Sequence, residues 1–202
     1  MIHLQKKLKN AWLRLLASKN PISRNLVALK RNYRLMKYQN NNNVTLEICG
    51  GKRPLEKHAI NVDVLDYPTV DVLADLMNPL PFSDSSIGHI ISIATLEHFN
   101  LQNLTRILQE FYRILKTNGT IEIGVPSLDK ILDYYQTHGC DDTVLRYLHG
   151  ALKDEHDIHL CVMDFLRFKQ TMELVGFKHV QQQEYNYPRH QCIMMMKITA
   201  VK

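Results

Sequence analysis

The stretch from Val44 to Glu97 constrains the fold of this chain more than any other. Val44-Thr45-Leu46-Glu47-Ile48-Cys49 is an apolar, β-rich run that breaks at Gly50-Gly51. Such a run ending in paired glycines predicts a buried strand followed by a tight turn. Ile60 to Val64 predicts a second strand and Val70 to Leu76 a third, with Asp63 and Asp75 near their ends. His89 to Ala94 predicts a fourth, running into Thr95-Leu96-Glu97-His98. In an open α/β sheet, ligands sit outside the carboxyl ends of the strands. That rule puts Glu47, Asp63 and Asp75 on one rim, beside a glycine turn that lets a ligand approach the backbone.

The remaining chain continues the pattern. Leu104 to Leu115 has apolar residues at 104, 107, 108, 111, 114 and 115, the spacing of an amphipathic helix. Lys116-Thr117-Asn118-Gly119 ends it, with Asn118 suited to a left-handed turn. Thr120 to Val125 predicts strand five, stopped by Pro126. Leu128 to Tyr135 starts another helix, whose tail through Gly139 and Cys140 reads as a variable, substrate-facing segment. A polar loop at residues 153–159 precedes a helix over Phe165 to Val175 and a closing strand pair, Lys178 to Glu184 and Cys192 to Val201.

Charge divides the chain in two. Residues 1–46 hold ten Lys or Arg and no acid, leaving fifteen basic against twenty acidic side chains in the rest. A basic arm thus precedes a mildly acidic domain, which bears on partners rather than fold. Leu4, Leu8, Trp12, Leu15 and Leu16 recur at helical spacing among lysines; after Pro21, so do Leu26, Leu29, Tyr33 and Met36. The Asn40 to Asn43 tract reads as a linker, giving an arm over 1–43 and a domain over 44–202. Three uses of the arm stand open. It packs on the domain's flank or over its site with Lys and Arg solvated, it lies on an anionic membrane surface, or it contacts nucleic-acid phosphates. The last is disfavoured, since no zinc, helix-turn-helix or aromatic stacking signature accompanies the charge. Acid-poor amphipathic arms also resemble transit peptides. Four scattered cysteines without a Cys-x-x-Cys pair point to a reducing, cytoplasmic setting. No run approaches the roughly 20 apolar residues of a membrane span, and no apolar signal core is expected at the N-terminus.

The ordered pieces Asn61-Val62-Asp63, Asp75-Leu76, Leu80-Pro81-Phe82-Ser83-Asp84-Ser85-Ser86, Leu96-Glu97-His98, Arg113-Ile114-Leu115-Lys116 and Val125-Pro126 carry a family resemblance. Together they resemble the class I S-adenosylmethionine-dependent methyltransferases, in the small bacterial type-11-like branch. The resemblance covers about Val44 to Val201 and implies a Rossmann-like, doubly wound α/β sheet of seven mostly parallel strands with an antiparallel last strand. It also implies S-adenosylmethionine as cofactor. Ile48, Cys49, Gly50 and Gly51 would receive its methionine part and Glu47 its ammonium. Asp63, with Val64 beside it, would take the ribose; Asp75 would take the adenine amino group, with Leu76 against the ring. Ala94 and Thr95 would lie near the methyl group. The family usually has Gly where this chain has Cys49, an acid near Gly88, and Lys-Pro-Gly-Gly near Lys116.

An acid at Asp63 also suits ribose hydroxyls on chemistry alone, since one carboxylate accepts from two O–H donors. A dehydrogenase would use the same device but does not require Asp75. Methyl transfer is an in-line displacement, aided mainly by orientation, and an oxygen nucleophile gains from a base such as histidine. His98, beside Glu97 as the group fixing its tautomer, and His159 are the candidates, with His156 their neighbour. His156-x-x-His159 lacks a third ligand of recognisable spacing, so no metal is expected. The expected function is methylation of a small or saccharide-linked acceptor, at oxygen, in surface-polysaccharide synthesis and, through the arm, near a membrane. The alternatives are an RNA or protein methyltransferase that grips substrate with the arm, and a non-catalytic binding module on the same fold. No Asn-Pro-Pro-Tyr-like motif supports base or amide N-methylation.

Overall fold

The computed structural model describes residues 21–39, 43–152, 157–187 and 192–202. The readings of Leu4 to Leu16, of most of the Asn40 to Asn43 linker and of His156 fall outside them. Helix α1 (Pro21–Gln39) precedes β1 (Thr45–Ile48), β2 (Ile60–Asp63), β3 (Val72–Leu73) and β4 (Ile87–Ile93). A 3-10 turn (Leu96–His98) leads to α2 (Leu101–Ile114), β5 (Leu115–Pro126), α3 (Leu128–His138) and α4 (Asp142–His149). The chain closes with α5 (Phe165–Val175), β6 (Lys178–Gln183) and β7 (Met195–Val201).

These strands form one seven-stranded sheet in the order β3-β2-β1-β4-β5-β7-β6. Pairing is parallel from β3 through β5, while β7 runs antiparallel between β5 and β6. The order reverses between β1 and β4, the switch point at which open α/β sheets take ligands. The inner strands are covered on both faces, so that Leu46, Ile90, Ile121, Ile123 and Ile198 are fully buried and the polar Glu47, Asn61 and Ser92 are buried among them. Helix α2 buries Leu104, Ile107, Leu108, Phe111 and Ile114, the apolar spacing of its sequence, and packs against α5. Asn100 caps it by accepting from the Asn103 amide.

Two expectations change. The third strand shrinks from Val70–Leu76 to Val72–Leu73, because Asp71 turns inward and its carboxylate accepts the Asn61 amide at 3.0 Å. Strand five starts earlier, at Leu115, through an irregular stretch in which Asn118 adopts the left-handed conformation (φ 62). After Gly139 and Cys140 the chain forms a further helix, α4, capped by Asp141, for which the sequence reading held no expectation.

Helix α1 docks on the face opposite to the one its apolar spacing suggests. Leu29, Tyr33 and Met36 are exposed, whereas Val27 is buried and Leu35 and Tyr38 pack against the core. Arg31 and Arg34 lie on that same inner face and turn toward the domain instead of solvent. Arg31 donates to the Val70 and Tyr67 carbonyls and pairs with Asp66. Arg34 donates to the Ala59 carbonyl and meets the buried Asp71 carboxylate at 3.1 Å. Loop carbonyls and a buried acid outbid an apolar stripe, because a guanidinium satisfies several acceptors at once while its stem packs.

Arg34→Ala leaves Asp71 without this cation. We expect a loss of about 1–3 kcal/mol in unfolding free energy, against less than about 0.5 kcal/mol for the exposed Met36→Ala. Urea melts of the two variants measure the difference; equal losses would show that the guanidinium does not hold the helix.

Candidate functional site

The carboxyl ends of β1, β2 and β4 meet at the Gly50-Gly51 turn. The turn closes in spite of a side chain at Cys49, which itself takes the left-handed conformation (φ 55), as does Gly51 (φ 56). Gly50 is required sterically, since a Cβ there would lie 2.7 Å from Asn61 Oδ1 and 2.8 Å from Glu47 Oε1. Over Gly51, by contrast, a Cβ would meet only Asp63 Oδ2, at 4.0 Å. That open side of the backbone is where a ligand can approach.

Buried polar groups brace the turn from beneath. Asn61, fully buried in β2, accepts the Gly50 amide and donates to the Gly51 and Thr69 carbonyls. Thr69 Oγ1 donates to the Gly51 carbonyl at 2.6 Å. Glu47 is buried in β1 and accepts the Leu55 and Glu56 amides, one on each oxygen, so it also organises the loop after the turn. Asp63 Oδ2 accepts the Gly51 amide at 3.0 Å and Oδ1 the Leu65 amide at 2.8 Å. Each carboxylate oxygen has a second lone pair, so Asp63 can still receive two hydroxyl donors. Asp75 is exposed beyond β3 and accepts the Met77 amide; Leu76 beside it is buried, Val64 is exposed and Ile48 is buried. Burial, followed by the nearby Asp63 charge, pushes the Cys49 thiol up to about 12, so it remains protonated and is no nucleophile.

The rim continues at β4. Ala94 is left-handed (φ 51) and its amide donates to the Gly124 carbonyl. Thr95 is buried and donates to the Ile93 carbonyl. Glu97 is buried in the following turn, and its carbonyl accepts the Leu160 and Cys161 amides. The loop so held brings His159 to His98, with ring centroids 5.1 Å apart and edge-on. His98 Nδ1 lies 3.0 Å from the Ile158 carbonyl and His159 Nδ1 2.7 Å from the Tyr147 carbonyl. A carbonyl only accepts, so both rings carry hydrogen on Nδ1 and present a lone pair at Nε2. The Ile158 carbonyl thus sets the His98 tautomer, a task the sequence suggested for Glu97. Burial, reinforced by His98, lowers the His159 pKa.

Sequence reasoning missed Gly150, and it read Asn61 only as part of the Asn61-Val62-Asp63 motif, with no bracing role. The signal for that role is an amide side chain inside a buried strand. Gly150 (φ 85) ends α4 where a Cβ would fall 2.0 Å from the Asp157 carbonyl, so it lets the His159 loop pass. Its signal is only a glycine after a helical run.

Comparison with known proteins gives the same frame. The family model described as a methyltransferase domain matches residues 29–123. No curated protein matches the chain in sequence. Among solved structures, an S-adenosylmethionine-dependent methyltransferase from Archaeoglobus fulgidus aligns at TM-score 0.56 and 17% identity, over 89% of this chain and 94% of that one. One from Thermotoga maritima, described as a possible histamine N-methyltransferase, aligns at 0.54 and 18%, over the whole of both chains. The Burkholderia thailandensis 1,6-didemethyltoxoflavin N1-methyltransferase, solved with S-adenosylhomocysteine, aligns at 0.55 and 14%, over 87% and 78%.

Gly50→Ala tests the turn. Overpacking against Asn61 and Glu47 is expected to cost about 1–3 kcal/mol, read as a lower midpoint in a thermal melt, while Lys52→Ala on the exposed side leaves the midpoint in place.

Proposed function

We propose that this chain is a class I S-adenosylmethionine-dependent methyltransferase and that it methylates an oxygen of a small or saccharide-linked acceptor. The observation that carries the proposal is the histidine pair at the carboxyl end of β4, with both Nδ1 atoms tied to backbone carbonyls. That arrangement supplies lone pairs where a nucleophile would stand, and a hydroxyl is the acceptor that needs to lose a proton as it attacks.

The rim residues fit the cofactor. The approach over Gly51 admits the methionine part, with Glu47 beneath the turn on its ammonium side. Asp63 retains lone pairs that would take two ribose hydroxyls, and Asp75 would hold the adenine amino group with Leu76 behind the ring. Ile48 and Cys49 shape the turn, and Ala94 and Thr95 would border the methyl group. When bound, S-adenosylmethionine supplies a methyl carbon whose bond to sulfur breaks as the acceptor oxygen bonds to it, leaving S-adenosylhomocysteine. His98 and His159 orient the acceptor and take its proton at Nε2, and the fixed tautomers remove the cost of reorienting the rings.

A saccharide-linked acceptor places the reaction in surface-polysaccharide synthesis, beside a membrane. Helix α1 spends Arg31 and Arg34 on the domain, so contact with an anionic bilayer would fall to the lysines of residues 1–20. No helix among the described residues is long and apolar enough to cross a membrane.

Calorimetric titration with S-adenosylmethionine and, separately, NADH tests the cofactor roles. Saturable binding of the first alone, weakened at least about tenfold (about 1.4 kcal/mol) by Asp63→Ala and by Asp75→Ala, is the expected result. Unchanged affinity in both variants would remove these residues from the site. Transfer of a radiolabelled methyl group to sugar acceptors, lost in His98→Ala and His159→Ala, supports the acceptor assignment; label found only on amine acceptors overturns it.

A further inference from the structure

We propose that Glu97, His98 and His159 bind a divalent transition-metal ion. The residues come from two segments, the 3-10 turn after β4 and the loop after α4, and the topology brings them together. One potential ligand atom from each lies within 4.8 Å of the other two. A tetrahedral ion with bonds near 2.0–2.1 Å holds its ligand atoms about 3.3 Å apart. The longest edge of the triangle therefore needs to close by no more than about 1.5 Å. Two imidazoles and one carboxylate suit Zn²⁺, Co²⁺, Ni²⁺ or Fe²⁺, whereas Mg²⁺ and Ca²⁺ prefer oxygen alone.

An independent observation is the outer shell. Metal-bound imidazoles nearly always donate their other N–H to a carbonyl or carboxylate, which fixes the ring and raises its basicity. Both rings here do so, His98 to the Ile158 carbonyl and His159 to the Tyr147 carbonyl. The two segments also hold each other. Ile158, which anchors His98, precedes His159, and Leu160, which follows it, donates to the Glu97 carbonyl at 2.7 Å. Glu97 is 2% exposed, and a dication offsets the cost of burying its charge.

Three protein ligands leave at least one coordination position open, the pattern of catalytic rather than structural metal sites. On the oxygen-acceptor reading, which this use of the ion rests on, the open position takes the acceptor hydroxyl and lowers its pKa. With the ion bound, the imidazole lone pairs hold it instead of taking the proton themselves, and the hydroxyl proton leaves to water. The binding site itself does not depend on that reading.

The test uses the full chain, purified without a polyhistidine tag, stripped with a chelator and titrated with Co²⁺ alone and Zn²⁺ alone. Expected are one ion per chain by calorimetry and a visible Co²⁺ absorption band that Zn²⁺ abolishes. His98→Ala, His159→Ala and Glu97→Gln each weaken binding by more than about 100-fold, beyond the loss from an outer-shell change. His138→Ala, stacked on Tyr134 in α3, leaves binding unchanged. Absence of stoichiometric binding to the wild type, or equal binding in all variants, overturns the proposal. The wild-type cobalt spectrum carries the test if Glu97→Gln does not fold. S-adenosylmethionine titrated into the stripped protein separates the two readings: cofactor binding and sugar methylation without metal leave the transferase reading standing and remove the ion from it. Metal binding without sugar methylation does the reverse.

Discussion

A buried hydrogen-bond network under Gly50-Gly51 is the constraint on which the site depends. Strand geometry alone would let the chain leave β1 in many directions. Asn61, Thr69, Asp63 and Glu47 fix one of them by accepting from, or donating to, the turn and the loop beyond it. Such groups are costly to bury unless satisfied, so the network acts as a whole: each partner removed leaves others orphaned in the interior. The same network holds Cys49 and Gly51 in the left-handed region, a conformation that costs a non-glycine residue roughly 1–2 kcal/mol.

The first part of the sheet was largely legible in the sequence because the first three strands each combine an apolar run with a terminal glycine or acid, two signals that come from different physics. The left-handed Asn118 was legible for a similar reason, since few residues tolerate that conformation. Helix α1 was misread because hydrophobic spacing assumes that apolar surface decides which side faces in. Val27, Arg31, Arg34, Leu35 and Tyr38 also share one helical face, and the partner waiting for it is a set of loop carbonyls and a buried carboxylate. Nothing local to residues 21–39 records that partner. Strand β3 shortened for a related reason, as Asp71 left the strand pattern to serve the same arginine.

The histidine pair illustrates a further limit. Each residue was visible as a candidate, yet their meeting depends on Gly150 admitting the loop and on Glu97 receiving two amides from it. The Glu97 contacts link positions some sixty residues apart, and no spacing rule covers them. The tautomers, fixed by carbonyls from Tyr147 and Ile158, are likewise a property of tertiary structure.

Helix α1 and the glycine turn are joined by a short relay: Arg34 to Asp71, Asp71 to the Asn61 amide, and the Asn61 side chain to Gly50. Contiguous elements joined in this way can open as one cooperative unit. The Gly50 amide, although it sits at the rim, is thus tied to the helix that precedes the sheet. The basic segment that precedes the sheet is therefore part of what keeps the rim in shape.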